Sequence, residues 1–491
     1  MFSYLYIIYF FIITIHASSY FSKCPEEDSL RECLDQYHIK GLINFRDNVM
    51  AYNNDINFEF NKRIIHFPVA FVHPIDEIDV QSAVKCAIKL NFPITARSGG
   101  HSPEGYGLGD KDCYLVVDLR TLNKTTVSIT SQTAIVGTGN TLGSLYKELQ
   151  QYIFAFPAGD SPSVGVGGHM PGGGIGFLNR KFGISSDNIL DAQIVLANGT
   201  VVYNSKKYPE LLWAIRGAGN AGYGIITSLT IKIYPIQKII SSVQLEYDFD
   251  HIPSIFSAIN QLGSNLHQNL TFTIDFVASQ TVVRGIYLGS ASELQSCIQE
   301  FIKLSRPKRV SYIENDFYNL IINNQEKNDN SKRNKTSEVF KLKSFFINSS
   351  GLSYEGIKYW MRFAKSFKCP ITTSIVLLGG GRVNEIRRNE TAFVHRGFLY
   401  LLELVVTLQS EICIQELEIF SKNFQQNYTN FESYQNYVDR NLDNWQCRYY
   451  GKNFEKLVEI KQKYDPYNLF HWNQSIPTNT NISCNDIDTT G

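Results

Sequence analysis

Seven of the thirteen residues from Val164 to Gly176 are glycine. A stretch with so few side chains cannot build a packed core, and each glycine loses extra conformational entropy on folding. Chains tolerate such loops where backbone must lie directly against a flat or charged ligand. Three more glycine-rich stretches accompany it: Arg97-Ser-Gly-Gly-His101, Gly137-Thr-Gly-Asn-Thr-Leu-Gly143, and Gly217-Ala-Gly-Asn-Ala-Gly-Tyr-Gly224. A Gly-Gly-His turn alone says little. Four loops of this kind, with so little charge, suit a long ligand extended across backbone amides. The nicotinamide-dinucleotide fingerprint does not fit, because its third glycine position falls on Met170.

The pattern between these loops is α+β. Val80, Ala83, Val84, Ala87 and Ile88 recur at helical spacing, predicting a helix from near Asp76 to Leu90. Strands are predicted over 92–97, 114–119 and 133–137. Ile189 to Leu196, Asn198-Gly199 and Thr200 to Tyr203 read as a hairpin. A long strand from Ile225 is expected to close at Pro235. From 236 to 430 glycine thins out and alternating strands (271–277, 281–287) mix with helical stretches. The polar run 323–337 reads as an exposed loop. The last fifty residues are compact again, ending in a polar tail. A length of 491 residues suits two or three domains.

Lys+Arg and Asp+Glu number 46 each, so nothing argues for a nucleic-acid partner. The N-terminus carries an apolar run too short for a bilayer, followed by Ala17, Ser18 and Ser19. It reads as a secretory signal over 1–19, lacking only the usual positive start. Nine Asn-x-Ser/Thr sequons and nine cysteines without a CxxC pair agree with an oxidising, extracellular or endomembrane destination and argue against zinc.

Together the four loops and the segments Tyr434-Gln-Asn-Tyr437-Val-Asp, Tyr450-Gly-Lys-Asn-Phe454 and Asp465 to Pro477 resemble berberine-bridge-enzyme-like flavoproteins of the vanillyl-alcohol-oxidase class. The likeness runs from Phe67 to Pro477. It implies a two-lobed PCMH-type FAD-binding domain (20–235), a substrate-binding domain with an antiparallel sheet backed by helices (236–430), a C-terminal segment returning to the FAD domain (431–480), and a tail (481–491). It implies FAD bonded through its 8α-methyl to His101. Many relatives add a cysteinyl bond; the matching residue is Ser161, a far poorer nucleophile, so a single attachment is expected. Arg97, Ser98, Gly99, Gly100, Gly165, Gly168, Gly173, Gly174, Gly224, Ile226 and Asn473 are the implied cofactor frame. His169 matches a histidine on the ribityl side of the flavin, and Val164 an oxygen gate, favouring O2 as acceptor. Cys33 and Cys86 match a family disulfide.

The resemblance implies Tyr437 as catalytic base. A phenol titrates near pH 10 and needs a polarising neighbour to work at neutrality. Glu403 lies near where some relatives place a carboxylate base, with the alignment ambiguous by one residue; a one-residue shift turns a strand side chain to the other face. Two family rings are missing, replaced by Pro103 and Ile175. The expected activity is oxidation of an alcohol, hemiacetal or amine carbon by a monomeric enzyme, with a sugar or aromatic alcohol as substrate and O2 as acceptor. The alternatives are a dehydrogenase using another acceptor, or a secreted flavin-containing binding or storage protein with little activity.

Overall fold

The computed structural model describes residues 23–277, 280–323, 339–407 and 410–484. The signal expected over 1–19, the sequon at Asn334 and nearly all of the expected loop 323–337 lie outside them.

The first lobe is a four-stranded sheet of β1 (Leu42–Phe45), β2 (Ala70–His73), β3 (Ile94–Arg97) and β4 (Leu115–Asp118), ordered β1-β2-β4-β3. Strands β2, β4 and β3 run parallel, and their residues are almost uniformly buried. The crossover between β2 and β3 is the predicted helix, Glu77–Leu90. Asp76 caps it by accepting from the Ile78 and Asp79 N–H groups, each at 3.0 Å.

The second lobe orders β5 (Thr125–Ser128), β6 (Thr133–Gly137), β8 (Ile189–Leu196), β9 (Val201–Val202) and β10 (Gly224–Lys232) as β5-β6-β10-β8-β9. The β8–β9 hairpin forms as predicted. The long strand stops short of Pro235, because its partner β6 begins at Thr133, opposite Lys232. Tyr234–Pro235 forms a separate short strand, β11, against β7 (Phe154–Ala155).

A seven-stranded antiparallel sheet follows: β12 (Ile240–Tyr247), β13 (Leu270–Val277), β14 (Gln280–Tyr287), β15 (Arg309–Asn315), β16 (Phe340–Asn348), β17 (Ile371–Leu377) and β18 (Phe398–Thr407), ordered β15-β12-β14-β13-β17-β18-β16. The helices Ile252–Leu262, Ala291–Ser305, Tyr354–Ser366 and Glu411–Tyr428 contribute buried side chains to one core with Ile274, Val283, Ile375 and Leu402 of this sheet. Because strand side chains alternate, Glu403 and its neighbours in register face the other way, away from that core.

Cys33 pairs with Cys86, fastening the helix Glu27–Gln36 to the helix Glu77–Leu90. Cys24–Cys113, Cys369–Cys413 and Cys447–Cys484 are also bonded, and Cys297 keeps a free thiol. No helix among the described residues is long and apolar enough to cross a membrane.

Candidate active site

A cleft of about 310 Å³ runs between the two lobes and the C-terminal segment. Glycines from three of the four predicted stretches, all but Gly137–Gly143, contribute to its walls, with Tyr437, Tyr449, Tyr450 and Trp472 among the rings. The loops are wedged together: a side-chain carbon on Gly99 would lie 2.3 Å from the Gly165 nitrogen, and one on Gly165 would lie 2.1 Å from the Gly99 nitrogen. Only glycine permits that approach. Gly168 differs, since a carbon added there would meet nothing within 4 Å and would project into open space.

His101 lies in this cleft, its Nε2 3.0 Å from Ser163 Oγ and its ring stacked on Phe60 at 4.3 Å. Ser98 Oγ donates to the Thr138 carbonyl (2.6 Å) and accepts from the Gly167 N–H (3.2 Å). Gly100, Val164, Gly165, Gly168, Gly224 and Ile226 line the cleft. His169 also lines it. Its Nε2 accepts from the Gly159 N–H at 2.9 Å, and burial pulls its pKa down to about 4, so the ring is neutral.

Five expected cofactor residues sit differently. The Arg97 side chain turns away from the cleft into a buried set of partners: Asp118, Glu59 at 3.2 Å and the Asp55 carbonyl at 2.7 Å. Gly173 and Gly174, at φ 144° and 79°, bend the loop around Tyr434, whose hydroxyl accepts from the Gly174 N–H at 2.8 Å. Asn473 is exposed, its backbone N–H held by Asp110 at 3.0 Å, while its neighbours Trp472 and Gln474 line the cleft. The Ser161 carbonyl accepts from the Val164 N–H at 3.3 Å in the turn that delivers Ser163. None of Ser161, Gly173, Gly174 or Asn473 lines the cleft.

Tyr437 and Glu403 are brought together. The Tyr437 hydroxyl and the Glu403 carboxyl lie close enough for each to shift the other's pKa. Burial pushes the Glu403 pKa up to about 8, and Asp275 and Asp160 add to this. Burial and the neighbouring Glu403 push the Tyr437 phenol well above its ordinary value. Glu403 stands in a row of registered positions across four strands: Ser344 on β16, Glu403 on β18, Ser374 on β17 and Asp275 on β13. Ser374 donates to Asp275 at 2.8 Å, and Asp275 pairs with Arg284 of β14.

Sequence reasoning missed Ser163, Phe60, Asp160, Asp275 and Arg284. The available signal was a charged residue inside an apolar alternation, as in Phe272-Thr-Ile-Asp275-Phe. Pro103 lines the cleft, and Ile175 is buried in the cluster that holds Tyr434 and Phe393.

These residues fit FAD. No carboxylate lines the cleft among the described residues, and Gly168 leaves space where any side chain would intrude. A two-lobed glycine-walled cleft beside a large antiparallel sheet defines a PCMH-type FAD-binding flavoprotein. The model of the FAD binding domain family matches residues 68–204, and that of the berberine and berberine like family residues 433–477. The chain is 30% identical over 453 residues to monolignol oxidoreductase AtBBE-like 13 of Arabidopsis thaliana, covering 84% of each. Its structure is similar to BBE-like 1 of Physcomitrella patens, at 31% identity and a TM-score of 0.85 over 92% of this chain and 99% of that one. It is also similar to the xylooligosaccharide oxidase from Myceliophthora thermophila C1 in complex with xylobiose, at 27% identity and a TM-score of 0.83 over 91% and 99%. The chain belongs to the berberine bridge enzyme-like family of FAD-binding oxidoreductases.

Proposed function

We propose that the chain is a secreted oxidase that removes a hydride from an alcohol, hemiacetal or amine carbon, with Glu403 as the proton acceptor and Tyr437 as its relay. The observation that carries this reading is the placement of Tyr437 on the cleft wall with the buried Glu403 carboxyl interacting with its hydroxyl from behind. FAD, when bound through His101, supplies the two-electron acceptor for the hydride and is returned to its oxidised form by O2, giving hydrogen peroxide. Tyr437 keeps its proton at neutrality, so it donates to Glu403 and offers its oxygen to the substrate hydroxyl. Glu403 titrates close to working pH, which suits a general base. A substrate proton leaving to the Tyr437 oxygen is matched by the phenol proton passing to Glu403. Ser374, Asp275, Arg284 and Asp160 surround this pair with groups able to bind substrate hydroxyls.

His169, neutral and held by Gly159, places a polar ring on the cleft wall without adding charge. Val164 leaves a small side chain at the position expected to admit O2. Four disulfides support passage through an oxidising compartment. The substrates named for relatives, a monolignol and a xylooligosaccharide, make aromatic alcohols and short sugars the first panel. The test is peroxide release from that panel, with Glu403→Gln as control. The replaced rings at Pro103 and Ile175 favour a second reading, a flavin-binding protein with little activity. Flavin that no member of the panel reduces would select it.

A further inference from the structure

We infer that Ser163 is a positioning residue for cofactor attachment: its hydroxyl sets the tautomer and orientation of the His101 ring. The inference rests on the covalent reading above.

The argument starts from how the two loops meet. They pair in opposite directions, residue by residue: Ser98 bonds Gly167, Gly99 packs on Gly165, and His101 bonds Ser163. The first two contacts leave no slack, because Gly99 and Gly165 touch through backbone atoms alone. Phe60 adds a third constraint. Its backbone N–H donates to the Gly100 carbonyl at 2.9 Å, and its ring lies against the imidazole at an interplanar angle of 16°. The stack fixes the ring plane but not which nitrogen carries the proton. That choice belongs to the hydrogen bond at Nε2. Where Ser163 Oγ accepts from Nε2–H, the ring's lone pair falls on Nδ1, which is then the nucleophile.

The covalent step requires this tautomer. A lone pair on the His101 ring forms a bond to the 8α-methyl carbon of FAD. One methyl hydrogen leaves as a proton, the electron pair of its broken bond enters the flavin ring, and His101 gives up its ring N–H proton. O2 then takes the two electrons and two protons as hydrogen peroxide, returning the flavin to the oxidised state. A hydroxyl at 163 holds the attacking nitrogen toward the methyl group, while the hydroxyl at Ser161 takes no part.

The test uses the full chain made without flavin, reconstituted with FAD in air and sampled by acid precipitation. The readouts are flavin in the pellet over time and the attachment atom, located by peptide mapping. Ser163→Ala is expected to slow incorporation roughly tenfold, the worth of one hydrogen bond to the ring, and to give mixed nitrogen linkages. Ser163→Thr, which keeps the hydroxyl, is expected to incorporate like the parent. A Ser163→Ala protein that attaches flavin at the parent rate and at one nitrogen overturns the inference alone. Equal slowing in both variants also overturns it, since the hydroxyl would not carry the effect. Acid-soluble flavin in the parent protein overturns the attachment at His101 and this inference together.

Discussion

The Tyr437 hydroxyl and the Glu403 carboxyl interact across the junction between the C-terminal segment and the seven-stranded sheet, each shifting the other's pKa. The two residues are 34 positions apart in sequence and arrive from different structural units. Their pairing divides the labour of proton transfer: the phenol is too buried beside an acid to ionise, and the carboxyl is the member that changes charge.

Replacing Glu403 with Gln is therefore expected to lower kcat by about 10²–10⁴-fold, the usual worth of a positioned base. Tyr437→Phe should cost less if substrate can reach Glu403 directly. A steady-state comparison in which Tyr437→Phe is the more damaged of the two would make the phenol, not the carboxylate, the principal base.

The pH profile follows from the same pair. Glu403 must be ionised to accept a proton, so kcat/KM should rise with pH and level off above about 8. Asp160 raises the Glu403 pKa, so Asp160→Asn should move that limb toward acid. A limb that stays in place, or moves toward base, contradicts the assignment.

Stability carries the opposite signature. The folded carboxyl holds its proton up to about pH 8, whereas in the unfolded chain it ionises near its ordinary 4.5. The native state thus binds the extra proton, and stability falls as pH rises between those values. Glu403→Gln should raise the melting temperature above pH 8 and leave it nearly unchanged below pH 4. Calorimetry at both ends of the range checks the sign.

Gly168 offers a test of the cleft that does not depend on chemistry. A carbon added there meets no protein atom, so Gly168→Val should fold and melt like the parent. It should nonetheless fail to retain FAD, read as the ratio of flavin to protein absorbance. Normal flavin loading in this variant would move the cofactor elsewhere.

Ser161 has no place on the cleft wall, so Ser161→Ala should keep its flavin in the acid pellet exactly as the parent does, whereas His101→Ala should release it. Loss of bound flavin from Ser161→Ala would reveal a second attachment.

Much of this site could be read from the chain because glycine and histidine are conspicuous in it. Loops rich in glycine announce backbone contact, and His101, His169, Val164 and Gly168 all reached the cleft. Arg97 lines the cleft too but sends its guanidinium elsewhere, since a motif records which residue is present and not where a long side chain finds its partner; buried Asp118 and Glu59 claimed it. Gly173 and Gly174 lie off the cleft wall for a related reason: glycine serves a turn as readily as a ligand, and theirs is a turn around Tyr434. Asp160, Asp275 and Arg284 were invisible because they meet only through pairing between strands and loops distant in sequence. Which face of its strand Glu403 occupies was not legible in the sequence; pairing sets it level with Ser344 and Ser374.

The row of Ser344, Glu403, Ser374 and Asp275 has a consequence for how such a chain can change. Each position belongs to a different strand, and each is flanked along its own strand by residues that point into the helix-backed core. One face of the sheet bears the structural load while the other is a polar array whose members are coupled to one another, Ser374 to Asp275 and Asp275 to Arg284 and Glu403. A change at one position of that array therefore alters the charge and hydrogen bonding of its neighbours while leaving the packing behind the sheet untouched.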